Sequence, residues 1–90
     1  MSEKEIERNV ILVSKKPLST YILAATRATN DFNEIILKAR GKNINTLVNL
    51  AEILKRDGMK EKDIKIETET FKNEEGKDIQ VSGMIITLEK

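Results

Sequence analysis

Asn9-Val10-Ile11-Leu12-Val13-Ser14-Lys15-Lys16-Pro17 joins three signals in one short stretch. Val10 to Val13 is an unbroken apolar run rich in β-branched residues, the pattern of a short strand covered on both faces. Ser14-Lys15-Lys16 is a polar, basic loop. Pro17 suits the first turn of a helix, where its missing N–H costs nothing. Leu18, Tyr21, Ile22, Ala25 and Ala28 then recur at helical spacing until Asn30-Asp31, which predicts a helix over 17–30. The same order returns downstream. Glu34-Ile35-Ile36-Leu37-Lys38-Ala39 reads as a second buried strand and Arg40-Gly41-Lys42 as a second basic turn. Ile44, Leu47, Val48, Leu50, Ala51 and Leu54 form the apolar stripe of a second helix. Asn43 suits its N-cap, Lys55 and Arg56 suit its last turn, and Gly58 suits the position just past its end.

Beyond Gly58 the character changes. Met59 to Asp63 reads as a charged connection. From Ile64 the period is two, with Ile64, Ile66, Thr68 and Thr70 against Lys65, Glu67, Glu69 and Phe71. Asn73-Glu74-Glu75-Gly76-Lys77 reads as a hairpin loop, and Asp78 to Glu89 as the last strand. Met84, Ile85 and Ile86 are consecutive there, so either Gly83 marks a bulge or both faces are covered. The predicted order is β-α-β-α-β-β: an α/β two-layer sandwich with a four-stranded mixed sheet and both helices on one face. A flexible arm is expected over 1–8 and a single domain over 9–90.

Composition narrows the chemistry. The chain has 90 residues, no Cys and no His. That removes disulfides, thiolate zinc sites, Cys nucleophiles and the commonest general base and metal ligand. Ser14 beside Lys15 or Lys16 is the one nucleophile–base arrangement left, so no enzyme is expected and no cofactor is implied. No apolar run is long enough to span a membrane. Met1-Ser2-Glu3-Lys4-Glu5 carries no apolar signal segment, which reads as a cytoplasmic protein. Only Tyr21, Phe32 and Phe71 are aromatic, so the core is mostly aliphatic and small, which favours a dimer.

Sixteen Lys and Arg against fifteen Asp and Glu leave a net charge of +1, which argues against binding polyanions by bulk charge. The distribution is uneven. Residues 14–56 hold eight bases and three acids, +5; residues 57–90 hold six bases and nine acids, −3. Lys15-Lys16 and Arg40-Gly41-Lys42 each follow a strand and open a helix. In open α/β sheets, anions bind beyond the carboxyl ends of strands, near free helix N–H groups. Right-handed crossovers would bring both basic loops to one edge. Elsewhere, Glu67 and Glu69 are two apart on one strand face and read as paired carboxylates or a solvated face. Phe71 reads as packing or as a stacking platform for a base. Glu74, Glu75 and Asp78 crowd the hairpin, where a solvated acidic tip is the simpler reading than a metal site.

The segments Asn9–Pro17, Tyr21-Ile22-Leu23-Ala24-Ala25 and Ile36-Leu37-Lys38-Ala39-Arg40-Gly41-Lys42-Asn43-Ile44, in this order, resemble the Alba family of archaeal chromatin proteins. The resemblance covers roughly residues 9–89. It implies a chromosome- or nucleoid-associated homodimer that binds double-stranded DNA, and RNA, with little sequence preference. The family's Lys-Lys loop, which touches phosphate and is acetylated, corresponds to Lys15 and Lys16, with Lys16 the acetylation candidate. An acetyltransferase and a deacetylase are then implied partners. The Arg-Gly-basic loop corresponds to Arg40 and Lys42, and Lys77 stands where the family hairpin is commonly basic. Asn43 and Asn45 open the second helix, where a lysine or a serine-lysine pair is common, and are candidates to reach a groove edge. Pairing is expected through the second helix and the last two strands. The acidic hairpin implies weaker or more selective binding than in highly basic members. Two other functions fit the same residues. One is an RNA-binding protein of RNA processing or a ribonucleoprotein. The other is a dimeric protein-interaction domain without nucleic acid.

Overall fold

Glu34–Arg40 (β2) alternates buried and exposed residues and lies inside a four-stranded sheet. In the computed structural model, which describes residues 9–90, Val10–Leu12 (β1) pairs with it in parallel. Asp78–Glu89 (β4) pairs with its other side antiparallel, and Lys60–Lys72 (β3) flanks β4 antiparallel. The strand order is β1-β2-β4-β3. Leu18–Asp31 (α1) joins β1 to β2. A short 3-10 turn, Gly41–Asn43, and then Ile44–Arg56 (α2) join β2 to β3. The expected β-α-β-α-β-β sandwich is therefore the observed architecture.

One face of the sheet carries the core, and β1 is covered on that face alone rather than on both as its apolar run predicts: no layer of the described residues packs on the helix-free face, and Leu12 there is 69% exposed. Ile11 and Val13, then Ile35, Leu37 and Ala39, then Ile86 and Leu88 are buried against Tyr21, Ala25 and Ala28 of α1 and Leu47, Leu50, Ala51 and Leu54 of α2. Ile35, Leu37, Leu47, Leu50 and Leu88 are fully buried, and truncating such a leucine to alanine costs about 2–5 kcal/mol through lost burial and the cavity left behind. The core is aliphatic apart from Tyr21. On β3, Ile64 and Ile66 share the helix-side face with their register partners Ile86 and Met84, yet Ile66 is 70% exposed. The helix-covered core does not extend over this outer strand.

Local chemistry explains the element ends, including three departures from expectation. Pro17 is not inside α1. Its ψ of 149° is extended, and its C=O accepts the Thr20 N–H at 3.0 Å, so it stands one residue before the helix. Asn43 makes no side-chain cap, because the preceding 3-10 turn already holds it at φ −80°, ψ −8°, outside the extended geometry a capping side chain uses. At the other end of α2, Gly58 takes φ 112°, its N–H bonds to Lys55 C=O at 3.1 Å and the Met59 N–H to Leu54 C=O at 3.1 Å. This paired closure needs a residue free of the Cβ penalty.

The third departure is β3. It begins at Lys60, inside the stretch that reads as a connection. Backbone pairing with Thr87, Leu88 and Glu89 holds these charged residues in the sheet whatever their side chains. The register slips between Glu61 and Asp63, so the bulge lies at Lys62 and pairing is regular at Gly83. The slip resets the alternation, which is why period two becomes visible only from Ile64. Ile86 is buried under the helices, and Ile85 is half-buried on the helix-free face. Charges line the exposed β3 edge and discourage strand addition there.

Lys62 reaches across to Glu34, and Lys55 bonds Glu52 and Glu61, each at 3.3 Å. The carboxylates, Glu52 first for Lys55 and Glu34 first for Lys62, hold both ammonium groups above the ordinary lysine value of 10.5. A raised folded-state value adds stability that is fully present below the unfolded value and is lost as pH climbs through the folded one. With no histidine in the chain, the thermal midpoint is expected to stay level from about pH 6 to 9 and to decline beyond 10.5. A melting series across pH checks this.

Candidate nucleic-acid interface

Parallel pairing of β1 with β2 decides where the basic residues meet. Leu12 is in register with Lys38, and the Val13 N–H donates to Lys38 C=O at 2.7 Å. The chain leaves both strands at the same edge of the sheet. Lys15 and Lys16 follow β1 there, and Arg40, Gly41 and Lys42 follow β2. α1 and α2 also start at this edge, with no side-chain cap and no acidic residue in either first turn. Positive helix ends thus accompany the cations.

The Ser14–Pro17 loop is held by one side chain. Tyr21 lies in the first turns of α1, 4% exposed, and its phenol oxygen accepts the Ser14 N–H at 2.7 Å and the Lys16 N–H at 3.1 Å. The Ser14 hydroxyl is 3.4 Å from the same oxygen. Burial pushes the phenol up, but the hydrogen bonds from the Ser14 side chain and backbone, then from Lys16 and its charge, outweigh it and leave the group below the usual tyrosine value. The two backbone bonds fix the loop's curvature, so Lys15 and Lys16 project outward. Both are exposed and make no ion pair among the described residues, as does Lys42.

Gly41 opens the second basic turn with φ 55°, in the left-handed region. A Cβ there would meet Val81 Cγ1 at an ordinary 3.7 Å, so backbone conformation and not space selects glycine. Arg40 differs from the lysines. Its guanidinium lies 3.2 Å from Glu69 and 5.6 Å from the centre of the Phe71 ring. Arg40, Glu69 and Phe71 share the helix-free face of the sheet, where a cleft of about 460 Å³ is lined by Leu12, Lys38, Arg40, Glu67, Glu69 and Ile85.

The other predicted residues fall in two places. Asn43 lines this cleft beside Arg40, and Asn45 is exposed on the first turn of α2. Lys77 stands apart. β2 ends opposite Gly83, while β3 and β4 run on as a two-stranded arm to the Asn73–Lys77 turn. Five residues from Gly83 to Asp78 carry the arm tip about 17 Å beyond the sheet body. There Asn73 Oδ1 accepts the N–H groups of Glu75 and Lys77, both at 2.9 Å, and Lys77 lies 3.7 Å from Glu75. Among the described residues, no group of three or more Asp or Glu side chains is arranged to hold a metal ion, and no helix is long and apolar enough to cross a membrane.

Tyr21 and Glu69 are the residues that sequence reasoning undervalued. Tyr21 reads as one more apolar position of a helix stripe, although a buried phenol demands a polar partner. That demand, four residues beyond Lys-Lys-Pro, was the available signal. Glu69 reads as a paired carboxylate or a wet surface because its partner is distant in sequence.

Known proteins share this fold. The Alba family model matches residues 9–73. "DNA/RNA-binding protein Alba" of Thermoplasma acidophilum is 43% identical over 88 residues, covering 93% of this chain and 98% of its own. The protein of that name from Picrophilus torridus is 39% identical, covering 91% and 96%. Among solved structures, Alba from Thermoplasma volcanium superposes with a TM-score of 0.81 at 42% identity, covering 91% of this chain and all of that one. An Alba protein of Trypanosoma brucei shares the fold at a TM-score of 0.76 and 21% identity, covering 92% of this chain and 69% of its own. By family model, by identity along nearly its whole length and by fold, this chain belongs to the Alba family.

Proposed function

We propose that the protein is a nucleic-acid-binding protein of the archaeal chromatin type, without enzymatic activity, that works as a homodimer. It binds double-stranded DNA, and RNA, through the phosphate backbone. The observation that carries this reading is the convergence of Lys15, Lys16, Arg40 and Lys42 with two uncapped helix starts at one sheet edge. Relatives at 43% and 39% identity bear the name DNA/RNA-binding protein, which supports it. Phosphate contacts release condensed counterions and carry no base information, so binding is strong in salt dependence and weak in sequence preference. In this reading Asn43 and Asn45 add contacts at a groove edge, and Lys77 touches phosphate from the arm.

Two copies pair through α2, β3 and β4. Ile64 and Ile66 on β3 and Val48 on α2 are exposed apolar groups that a second copy would cover. Pairing doubles the basic edge, which offsets the modest charge of one chain. The acidic arm, with Glu74, Glu75 and Asp78, keeps binding weaker or more selective than in strongly basic members. Lys16 is the acetylation site, serving an acetyltransferase and a deacetylase, because its ε-amine is exposed and free of ion pairs among the described residues. The protein acts in the cytoplasm on the nucleoid.

A salt titration of binding to a short labelled duplex tests this, with light scattering for the stoichiometry. The expected log–log slope is about −0.9 per phosphate contact on duplex DNA. A slope near zero, or no binding at low salt, leaves a dimeric interaction domain as the reading. Competition between duplex DNA and structured RNA ranks the two ligands. A large preference for RNA reassigns the protein to RNA processing or a ribonucleoprotein.

A further inference from the structure

We propose that Glu69 is a built-in competitor for nucleic-acid phosphate, holding Arg40 in an internal ion pair that must open before this cation can engage a ligand. The inference rests on the nucleic-acid-binding reading above and refines how that edge is tuned.

The geometry comes from strand order. β4 lies between β2 and β3, so a side chain from the end of β2 must cross β4 to reach β3. Arg40 is in register with Gly83, and Gly83 with Glu67. At this one crossing point the middle strand carries no side chain. A Cβ on Gly83 would sit 3.8 Å from Arg40 Cγ and 3.5 Å from the Ala39 carbonyl oxygen, so the arginine stem lies directly over the glycine. Passing this gap, the guanidinium turns toward the arm and meets Glu69 at 3.2 Å and the Phe71 ring at 5.6 Å. Glu69 and Phe71 alternate on the same face of β3, so carboxylate and ring hold the cation together.

Chemistry then separates Arg40 from its neighbours. Lys15, Lys16 and Lys42 make no ion pair among the described residues, so none has to open before they meet phosphate. Arg40 must exchange one anion for another. An exposed pair such as this one shifts an equilibrium by up to about fivefold, an amount a phosphate can overcome. The pair therefore lowers affinity without abolishing the contact, and it removes a fraction of a counterion release from each protomer. It also ties the basic edge to the base of the arm, so a phosphate that captures Arg40 frees Glu69 and Phe71 from it.

The test is a mutant cycle on duplex DNA affinity and salt slope, with circular dichroism confirming that each variant folds. E69Q is expected to bind about two- to fivefold tighter than the wild-type chain, with a slope steeper by up to about 0.9 per protomer. E67Q removes the same charge from the same face without breaking the pair, and is expected to gain less and leave the slope unchanged. In an R40Q background, E69Q and E67Q are expected to give equal small gains. Equal gains from E69Q and E67Q in the wild-type background overturn the inference, as does an excess for E69Q that survives R40Q. Failure of the wild-type chain to bind nucleic acid at any salt overturns the proposed function itself, a result distinguishable from either of these.

Discussion

Replacing Lys15 and Lys16 together by alanine is expected to weaken duplex DNA binding by about tenfold or more at low salt, while replacing Lys60 and Lys62 leaves it within about twofold. The two variants remove the same charge. They differ only in place. Lys15 and Lys16 follow the carboxyl end of β1, whereas Lys60 pairs with Glu89 at the opposite end of the sheet. Lys62 is further committed to Glu34. In the proposed homodimer the first variant removes four cations from the proposed binding edge. The salt slope should shrink by about 0.9 for each phosphate that is no longer neutralised, so by up to about 3.6. Equal effects from the two variants would mean that charge in general, and not this edge, binds nucleic acid. Anisotropy titrations at several salt concentrations read both quantities.

Tyr21→Phe is expected to lower stability and affinity together. The substitution keeps the buried ring and deletes only the oxygen that accepts from Ser14 and Lys16. Leaving partly buried N–H groups unpaired costs about 1–3 kcal/mol, since water reaches them only in part. For a domain of this size each kcal/mol lowers the melting temperature by roughly 4–8 °C. The affinity loss has a separate origin. A loop no longer pinned by the phenol must be ordered on binding, and ordering side chains costs about 0.5–1.5 kcal/mol each, or roughly two- to tenfold in affinity. A lower melting temperature with unchanged affinity would restrict Tyr21 to the core. A parallel Leu50→Ala variant, destabilised through a fully buried residue away from the loop, shows what stability loss alone does to binding.

Much of the architecture is carried by short-range patterns. The apolar runs over 10–13 and 35–37 and the apolar stripes after Pro17 and Asn43 are each legible from neighbouring residues. Their order, with a basic loop after each of the first two strands, is enough to place those loops near helix starts. The strand Lys60–Asp63 escaped because side-chain alternation is the readable signal, and a bulge at Lys62 breaks it. Backbone pairing with β4 holds that segment, and backbone groups are the same in every residue.

The sequence by itself determined the element order, the aliphatic core, the two basic loops and the acidic arm, since each is written in residues close together in the chain. Only the tertiary structure decided that Arg40 is paired, whereas Lys15, Lys16 and Lys42 make no ion pair among the described residues. That outcome depends on β4 entering between β2 and β3, on Gly83 falling opposite Arg40, and on Glu69 and Phe71 facing the same side. The register of a strand pair is a property of the whole sheet, and a slip of one residue would turn Glu69 to the other face. Likewise the Tyr21 phenol meets Ser14 and Lys16 only because α1 packs back over β1. Periodicity says which face a residue occupies, whereas the partner it finds there is settled by strand order, register and packing.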